Sequence, residues 1–305
     1  MARSADIDIN AGARLDRLPT CGFHWRILAL IGAGMFLDAF DIYLAGGVLG
    51  AVLKDGWSTL ELNAAFVSAT FVGMTIGAWL SGILGDRFGR RFSYQMNLAI
   101  FGLASIAAAF APNMMVLIVL RFIIGIGLGA EIVVGYATLT EFVPAASRGR
   151  WIGLLAVITN FSLFASSMVG LWVIPTLGWR YMFGLVGILA MVVWILRKSM
   201  PESPRWLISK GRVREAQASI RKLYRVGGDT FALPTLQQAS SATFADLFAE
   251  QRRFWLTVLV WFGASTANYG VFLWGPTIVA LLLGVAPQER SEEHTSELQS
   301  RSTIS

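Results

Sequence analysis

The sequence predicts an all-α polytopic membrane protein. Of its 305 residues, 55% are hydrophobic and only 14% are charged, whereas soluble domains usually carry about 25% charged residues. The apolar residues also form blocks close to the ~20 residues that a helix needs to cross a bilayer. Because backbone groups in lipid must pair within the chain, each block is predicted to be helical.

Seven apolar blocks divide the chain into a bundle, a loop and a last span. The predicted spans are 24–50, 62–84, 93–111, 114–140, 151–173, 181–197 and 254–283. A polar tail (1–23) precedes a six-helix bundle (24–199), and a long polar loop (200–252) precedes a seventh span within 253–289. Inside the loop, Val213, Ala216, Ile220 and Leu223 repeat at helical spacing, which predicts a helix that either lies on the inner leaflet or is a solvated linker.

Lys and Arg in the loops indicate the orientation. Nearly all of them lie on the side of the N-terminal tail, and the other side has only Lys54 and Arg180. The positive-inside rule therefore predicts a multi-pass protein of the inner (cytoplasmic) membrane with a cytoplasmic N-terminus and the lipid bilayer as its partner. The net charge of +6 follows these loops, so no nucleic-acid partner is predicted.

The end of the chain does not continue the pattern. From Arg290 the sequence reads Arg-Ser-Glu-Glu-His-Thr-Ser-Glu-Leu-Gln-Ser, which resembles the translation of a common sequencing adapter. Residues 290–305 are therefore interpreted as an artefact and excluded from reasoning about the fold. The alternative is a genuine hydrophilic tail.

The loop after the second span carries the most specific motif. It reads Gly-Ile-Leu-Gly-Asp-Arg-Phe-Gly-Arg-Arg over 82–91 and resembles the signature loop of the major facilitator superfamily. Gly82 is expected to permit a close helix contact and Gly89 a tight turn. Asp86 is expected to face a helix N-terminus or a basic partner across the cytoplasmic gate. The basic members of this gate loop are Arg87, Arg90 and Arg91.

Two further segments resemble the sugar-porter branch and its bacterial relatives, the metabolite:proton symporters. They are Glu-Phe-Val-Pro-Ala-Ala-Ser-Arg-Gly over 141–149 and Pro-Glu-Ser-Pro-Arg-Trp-Leu over 201–207. The resemblance implies that Glu141, Arg148, Glu202 and Arg205 latch the two halves together on the inner side. The alternative for each of them is a solvated charge beside the membrane.

Ionisable residues inside the spans are candidates for function. A charge in the bilayer core costs at least ~2.5–3.5 kcal/mol on insertion scales. Asp38 and Asp41 in the first span are three residues apart and therefore share a helix face. Arg121 and Glu131 lie in the fourth span. Glu131 is predicted to be either a second proton site or a polar contact between helices.

The segment Asp-Ala-Phe-Asp over 38–41 resembles the D-G-x-D signature of aromatic-acid:proton symporters, with alanine in place of glycine. Asp41 and Arg121 match the acid and the arginine that pair in proton-linked sugar porters. The resemblance implies that protonation of Asp41 frees Arg121, and that either Asp41 alone or Asp41 together with Asp38 loads and releases the proton. The alternative is a permanent ion pair that only holds two helices together.

Substrate contacts are predicted less directly. Asn160 falls near a substrate-facing position of sugar porters, and Asn268 and Tyr269 lie in the seventh span. The Gln-Gln-x-x-Gly-x-Asn pattern of sugar porters is not found there, and Trp274-Gly275-Pro276 looks more like the organic-acid and metabolite symporters.

The resemblance implies a truncated major facilitator fold, with about seven of twelve transmembrane helices. The bundle is expected to be two inverted three-helix repeats, and the seventh span to begin a C-terminal bundle. The complete protein is expected to couple protons to uptake of a small organic acid or related metabolite, and to work as a monomer. Alternatives are sugar or polyol symport, proton-driven efflux, and a non-transporting sensor. The chain by itself is expected not to transport, because the second bundle is missing.

An enzyme is not predicted. There is no P-loop, and no set of His or Cys at metal-ligand spacing, so neither catalytic residues, nor a cofactor, nor a metal is expected. His24 stands alone at the inner end of the first span and is interpreted as an interfacial residue.

Overall fold

The structure is a computed structural model that describes residues 20–224 and 251–282. Nine α-helices are described: α1 Gly22–Lys54, α2 Leu60–Phe88, α3 Arg90–Ala109, α4 Met114–Phe142, α5 Arg148–Leu177, α6 Arg180–Arg197, α7 Pro204–Ser209, α8 Val213–Tyr224 and α9 Gln251–Leu282. A 3₁₀ turn, Ala145–Ser147, joins α4 to α5. The chain divides into two compact units, one up to Ala239 and one from Ser240.

Helices α1 to α6 are long and apolar enough to cross a membrane, which confirms the predicted polytopic all-α fold class. Most of them extend beyond the predicted blocks, because helical turns continue into the polar ends of each span. The polar helix expected around Val213 is found as α8. In the second unit, α9 covers much of the predicted seventh span, and its crossing of the membrane stays a prediction. The tail up to residue 19, the stretch 225–250 and the proposed artefact at 290–305 lie outside the described residues.

Short polar residues and glycines place the helix ends. The Asn113 side chain accepts a hydrogen bond from the Val116 amide at 2.9 Å and begins α4. Thr59 does the same for α2, as expected of N-cap residues. Gly89, with φ +103°, separates α2 from α3, and Gly178, with φ +98°, separates α5 from α6. Only glycine adopts such angles without strain.

Helices α2 and α4 pack backbone against backbone. A Cβ atom added at Gly77 would lie 2.7 Å from the carbonyl carbon of Ile126, and one at Gly129 would lie 2.6 Å from that of Met74. Small residues permit such close approach between membrane helices. Gly77 and Gly129 therefore allow the close packing of α2 on α4.

The helix contacts fit the expected pair of three-helix repeats. The most extensive contacts join α2 to α4, α3 to α4, α3 to α6, and α1 to α5. Exchanging the first three helices with the second three turns the α2–α4 contact into the α5–α1 contact and leaves α3–α6 unchanged. The α3–α4 contact, however, has its counterpart in the less extensive α6–α1 contact, and the inverted arrangement of the repeats stays a prediction.

Two apolar clusters fill the bundle. The larger includes Leu44, Leu117 and Phe183, and the smaller includes Ile27, Leu139 and Trp151. Along α4 the buried apolar residues pass from the larger to the smaller cluster between Leu128 and Val134. Of the two buried charges on α4, Glu131 lies in this interval, and Arg121 lies between Leu117 and Ile124 of the larger cluster.

Candidate functional site

A fully buried ion pair joins α1 to α4. The Arg121 guanidinium contacts the Asp41 carboxylate through Nη1, and its Nη2 donates to the Asp41 carbonyl oxygen at 3.2 Å. Both side chains are at most 1% exposed. The structure therefore brings together the two residues that the sequence predicted to pair.

Two aromatic rings flank Arg121. Its guanidinium carbon lies 4.7 Å from the ring centre of Phe66 and 5.6 Å from that of Phe183. These rings come from α2 and α6, so four helices surround the pair. Aromatic faces attract cations when water is excluded, and they can hold the guanidinium when the carboxylate is neutralised.

A second buried ion pair was not predicted. Arg197, the last residue of α6, contacts Glu131 of α4, and both are 1% exposed. Arg197 also donates to two carbonyl oxygens of α1, from Nε to Leu30 at 2.8 Å and from Nη2 to Ile31 at 3.0 Å. Glu131 therefore makes a charged contact between helices, which is one of its two predicted roles. Arg197 is the buried counter-ion of Glu131, although from the sequence it was expected to be one of the basic loop residues.

Asp38 lies in a different environment from Asp41. It is 2% exposed, and neither of its carboxyl oxygens has a hydrogen-bond partner in the described part of the chain. The charges that act on it are those of Glu131, Arg197 and Asp41. The two acids thus share a helix face, as predicted, but only Asp41 is ion-paired.

At one end of the bundle, Glu202 covers the start of α3. Its carboxylate accepts from the backbone amides of Arg90, at 2.9 Å, and Arg91, at 3.2 Å, and also from that of Ser203 at 2.9 Å. A carboxylate at a helix N-terminus satisfies free amides and the helix dipole. This end, which carries the α2–α3 loop, is called the signature-loop end below.

The absence of a side chain on Gly89 makes this contact feasible. A Cβ atom there would lie 2.9 Å from Cδ of Glu202. The predicted tight turn at Gly89 is present, and it also gives Glu202 access to the helix. One of the two settings expected for Asp86 was the N-terminus of a helix. At the N-terminus of α3 the acid is Glu202 instead.

Arg90 connects the signature loop to the end of α4. It lies 2.9 Å from Asp86 of its own loop and 2.9 Å from Glu141. Arg205 donates to the Glu141 carbonyl oxygen at 3.1 Å, and Trp206 donates to that of Asp86 at 3.1 Å. The residues predicted for the gate are thus largely one connected polar cluster within the first unit.

Other members of the predicted gate differ. Arg87 is exposed and lies over the Phe88 ring at 5.5 Å, and Arg91 donates to the Lys198 carbonyl oxygen at 3.0 Å. Arg148 is the half-buried first residue of α5. The close helix contact predicted at Gly82 is wrong for the described residues, because a Cβ atom there would meet nothing within 4 Å.

Of the predicted substrate residues, only Asn160 has a side chain within the described part of the chain. Asn160 is exposed on α5, and its amide donates to the Ala156 carbonyl oxygen of the same helix at 2.8 Å. The side chains of Asn268 and Tyr269 lie outside the described residues. Contact of these three residues with a substrate therefore stays a prediction.

A cavity of about 1140 Å³ opens at the signature-loop end and has Arg91 and Glu202 in its lining. His24 lies nearby and is fully buried against the rest of the protein, and its position at the membrane interface stays a prediction. Its Nδ1 accepts from the Cys21 amide at 3.1 Å, and its ring lies 5.9 Å from that of Trp151. His24 closes the start of α1 against α5.

Comparisons with known proteins agree with this architecture. The family described as "Sugar (and other) transporter" matches residues 28–286. The inner membrane metabolite transport protein YdjE of Escherichia coli K12 is 40% identical over 280 residues, which cover 88% of this chain and 62% of that protein. The niacin transporter NiaP of Acinetobacter baylyi is 35% identical over 273 residues, with the same coverage of both chains.

A solved structure supports the fold. The proton:xylose symporter XylE bound to 6-bromo-6-deoxy-D-glucose superposes with a TM-score of 0.60 at 24% identity, over 66% of this chain and 50% of that chain. The chain spans about 62% of the length of the first two relatives. These relatives are transporters and not enzymes, as the sequence predicted. This chain belongs to the sugar (and other) transporter family and has the major facilitator fold.

Proposed function

We propose that the complete protein is a proton-coupled symporter of a small organic acid or related metabolite. The observation that carries this proposal is the buried Asp41–Arg121 pair. A charge in hydrocarbon is expensive and is by default a functional candidate. The same pair is also the centre where α1, α2, α4 and α6 meet.

Protonation of Asp41 would switch this pair. A neutral carboxyl releases Arg121, whose guanidinium remains charged at all physiological pH values. The released guanidinium can bind an anionic group in a bidentate manner, and Phe66 and Phe183 hold it in place meanwhile. Proton loading at Asp41 and exposure of an anion-binding group are therefore one event, which suits co-transport of an acid.

The names of relatives support the substrate class. Niacin, the substrate in the name of the Acinetobacter relative, is a small aromatic carboxylic acid. A second candidate is a polyol or sugar, because inositol transporter 4 of Arabidopsis thaliana is 30% identical over 226 residues. The Asp41–Arg121 pair does not separate the two classes, because it also matches the pair of proton-linked sugar porters. The niacin named for the more similar Acinetobacter relative is what favours the acid.

The gate and orientation belong to the same proposal. The cluster of Arg90, Glu141, Glu202 and Arg205 would close the inner side and be rearranged when the two bundles rock about a mid-membrane substrate. The N-terminus would lie in the cytoplasm of a cell whose inner membrane holds the protein as a monomer. The basic loops support that orientation.

The test is uptake into proteoliposomes that contain the complete transporter. With an inward proton gradient, we expect nicotinate or benzoate to accumulate above its equilibrium concentration. Asp41→Asn should abolish this accumulation and leave exchange between internal and external substrate intact, because exchange needs no net proton movement. Asp55→Asn, the same change in an exposed loop, should leave both unchanged.

Two results would overturn the proposal. Accumulation by Asp41→Asn at the level of the unaltered protein would remove Asp41 from coupling. Accumulation of inositol or xylose, with no accumulation of nicotinate or benzoate, would favour a polyol or sugar as the substrate over an acid.

A further inference from the structure

The buried charges in the bundle do not balance. Apart from His24 and Tyr94, the fully buried ionisable residues in the described part are three acids and two arginines: Asp38, Asp41, Glu131, Arg121 and Arg197. With all five ionised, the interior would have one net negative charge. An uncompensated buried charge costs several kcal/mol even after relaxation, so binding one proton is the economical way to reach neutrality.

The contacts indicate which acid binds that proton. Asp41 is paired with Arg121, and Glu131 with Arg197. Asp38 lies between the two pairs along α1, fully buried and without a hydrogen-bond partner in the described part of the chain. The charges facing it come from Glu131 on α4, Arg197 on α6 and Asp41 on its own helix. Helix α5, which packs on α1, has no charged residue from Trp151 to Leu177.

Arg197 is placed to respond to the charge of Asp38. Its guanidinium lies over Gly34, where an added Cβ atom would be 2.6 Å from Cζ of Arg197 and 2.8 Å from Oε1 of Glu131. Gly34 is one helical turn before Asp38, so the two positions face the same side of α1. The guanidinium therefore has Glu131 as its present partner and a second carboxyl one turn away.

We propose that Asp38 holds the exchangeable proton in this state and that Arg197 is the positioning residue that keeps it there by pairing with Glu131. When the proton leaves Asp38 for water, the new carboxylate attracts Arg197, which is then shared between Asp38 and Glu131. Rebinding of a proton returns Arg197 to Glu131. The Asp38 proton is a second one, beside the proton proposed to load at Asp41, so this inference rests on the proposed proton coupling.

The test is infrared spectroscopy of the full 305-residue chain in lipid nanodiscs at about pH 7, where ordinary Asp and Glu side chains are ionised. We expect one protonated-carboxyl C=O band. The band should shift when aspartate is labelled with ¹³C at its carboxyl group and stay in place when glutamate is labelled. In Asp38→Glu the band should instead shift when glutamate is labelled. In Asp41→Glu, the matched control, it should still shift when aspartate is labelled.

The positioning role of Arg197 is tested by the number of protonated-carboxyl bands in its variants. Arg197→Gln removes one positive charge, so a second band of about equal area should appear and follow the glutamate label, because Glu131 has lost its partner. Arg197→Lys retains the charge and should keep the single aspartate band. Circular dichroism of each variant shows that it is folded.

The infrared results test the proposal about Asp38 and Arg197 independently of the transport assay. No band in the unaltered chain, or a band that follows glutamate in Asp41→Glu, would overturn the assignment to Asp38. A single aspartate band in folded Arg197→Gln would overturn the role of Arg197. Proton-driven accumulation by the complete protein without this band would leave the coupling standing and remove only Asp38. The band without such accumulation would leave Asp38 standing and remove the coupling.

Discussion

At the scale of single residues, Gly34 is the position on which the second ion pair depends. The Glu131–Arg197 pair lies directly on its backbone, and a Cβ atom there would be 2.8 Å from Oε1 of Glu131. We expect Gly34→Ala to displace the pair and to lower the free energy of unfolding by about 1–3 kcal/mol, as overpacking of an interior does. Thermal unfolding of the chain in detergent, followed by circular dichroism, measures the effect.

Gly46→Ala is the matched control on the same helix. A Cβ atom at Gly46 would meet nothing within 4 Å among the described residues. Alanine is favoured over glycine inside a helix by roughly 0.5–1 kcal/mol, so this variant should keep or raise the stability. Equal losses in the two variants would show that the space around Gly34 is not what matters.

The buried residues also show how far sequence reasoning reaches at this scale. Asp41 and Arg121 stand in the middle of apolar blocks, and their pairing followed from a family resemblance. Arg197 was missed because it ends an apolar block and Lys198 follows it, so it counted as one more basic loop residue. The three-residue spacing placed Asp38 beside Asp41 but could not show that only one of them has a cationic partner.

At the scale of helices, Glu202 is predicted to stabilise the start of α3. Its carboxylate accepts from the Arg90 and Arg91 amides. Glu202→Gln keeps the size of the side chain but removes the charge that complements the helix dipole. We expect a loss of about 1–2 kcal/mol in the free energy of unfolding, measured by the same thermal unfolding of the chain.

Glu215→Gln provides the comparison for Glu202. Glu215 is also a glutamate beside an arginine, with Arg212 at 2.7 Å, but it is exposed on α8. Solvent screens such a pair, so this variant should unfold at the temperature of the unaltered chain. A loss in Glu215→Gln equal to that in Glu202→Gln would contradict a specific role for the α3 terminus.

The helices themselves were largely predictable from the sequence, because apolar block length and the Pro112-Asn113 turn depend on local chemistry. Their ends were less so, since turns such as those of α1 up to Lys54 continue beyond the apolar residues. Short α7, Pro204–Ser209, was not predicted, because its contacts with the signature-loop end come from residues distant in sequence. Trp206, for example, donates to the Asp86 carbonyl oxygen.

At the scale of the whole molecule, the ends of the bundle differ in charge. The signature-loop end includes Arg87, Arg90, Arg91 and Lys198, whereas the opposite end has Lys54 and Arg180. Arg180 is held there by the Trp179 ring, 4.3 Å from its guanidinium carbon, and by the Ala111 carbonyl oxygen at 3.3 Å. The sequence predicts from this asymmetry that the signature-loop end is cytoplasmic, a statement that helix packing alone does not test.

The single cysteine makes that orientation measurable. Cys21 precedes α1 at the signature-loop end, so a membrane-impermeant maleimide should label it in inverted vesicles and not in intact cells. In a Cys21→Ala background, Lys210→Cys, between α7 and α8, should behave like Cys21, whereas Lys54→Cys should be labelled in intact cells. Both replaced lysines are exposed, so each reports a side of the membrane even if His24 shields the native thiol. Labelling of Lys210→Cys from outside the cell would reverse the orientation and place the Glu202 cluster on the outer side.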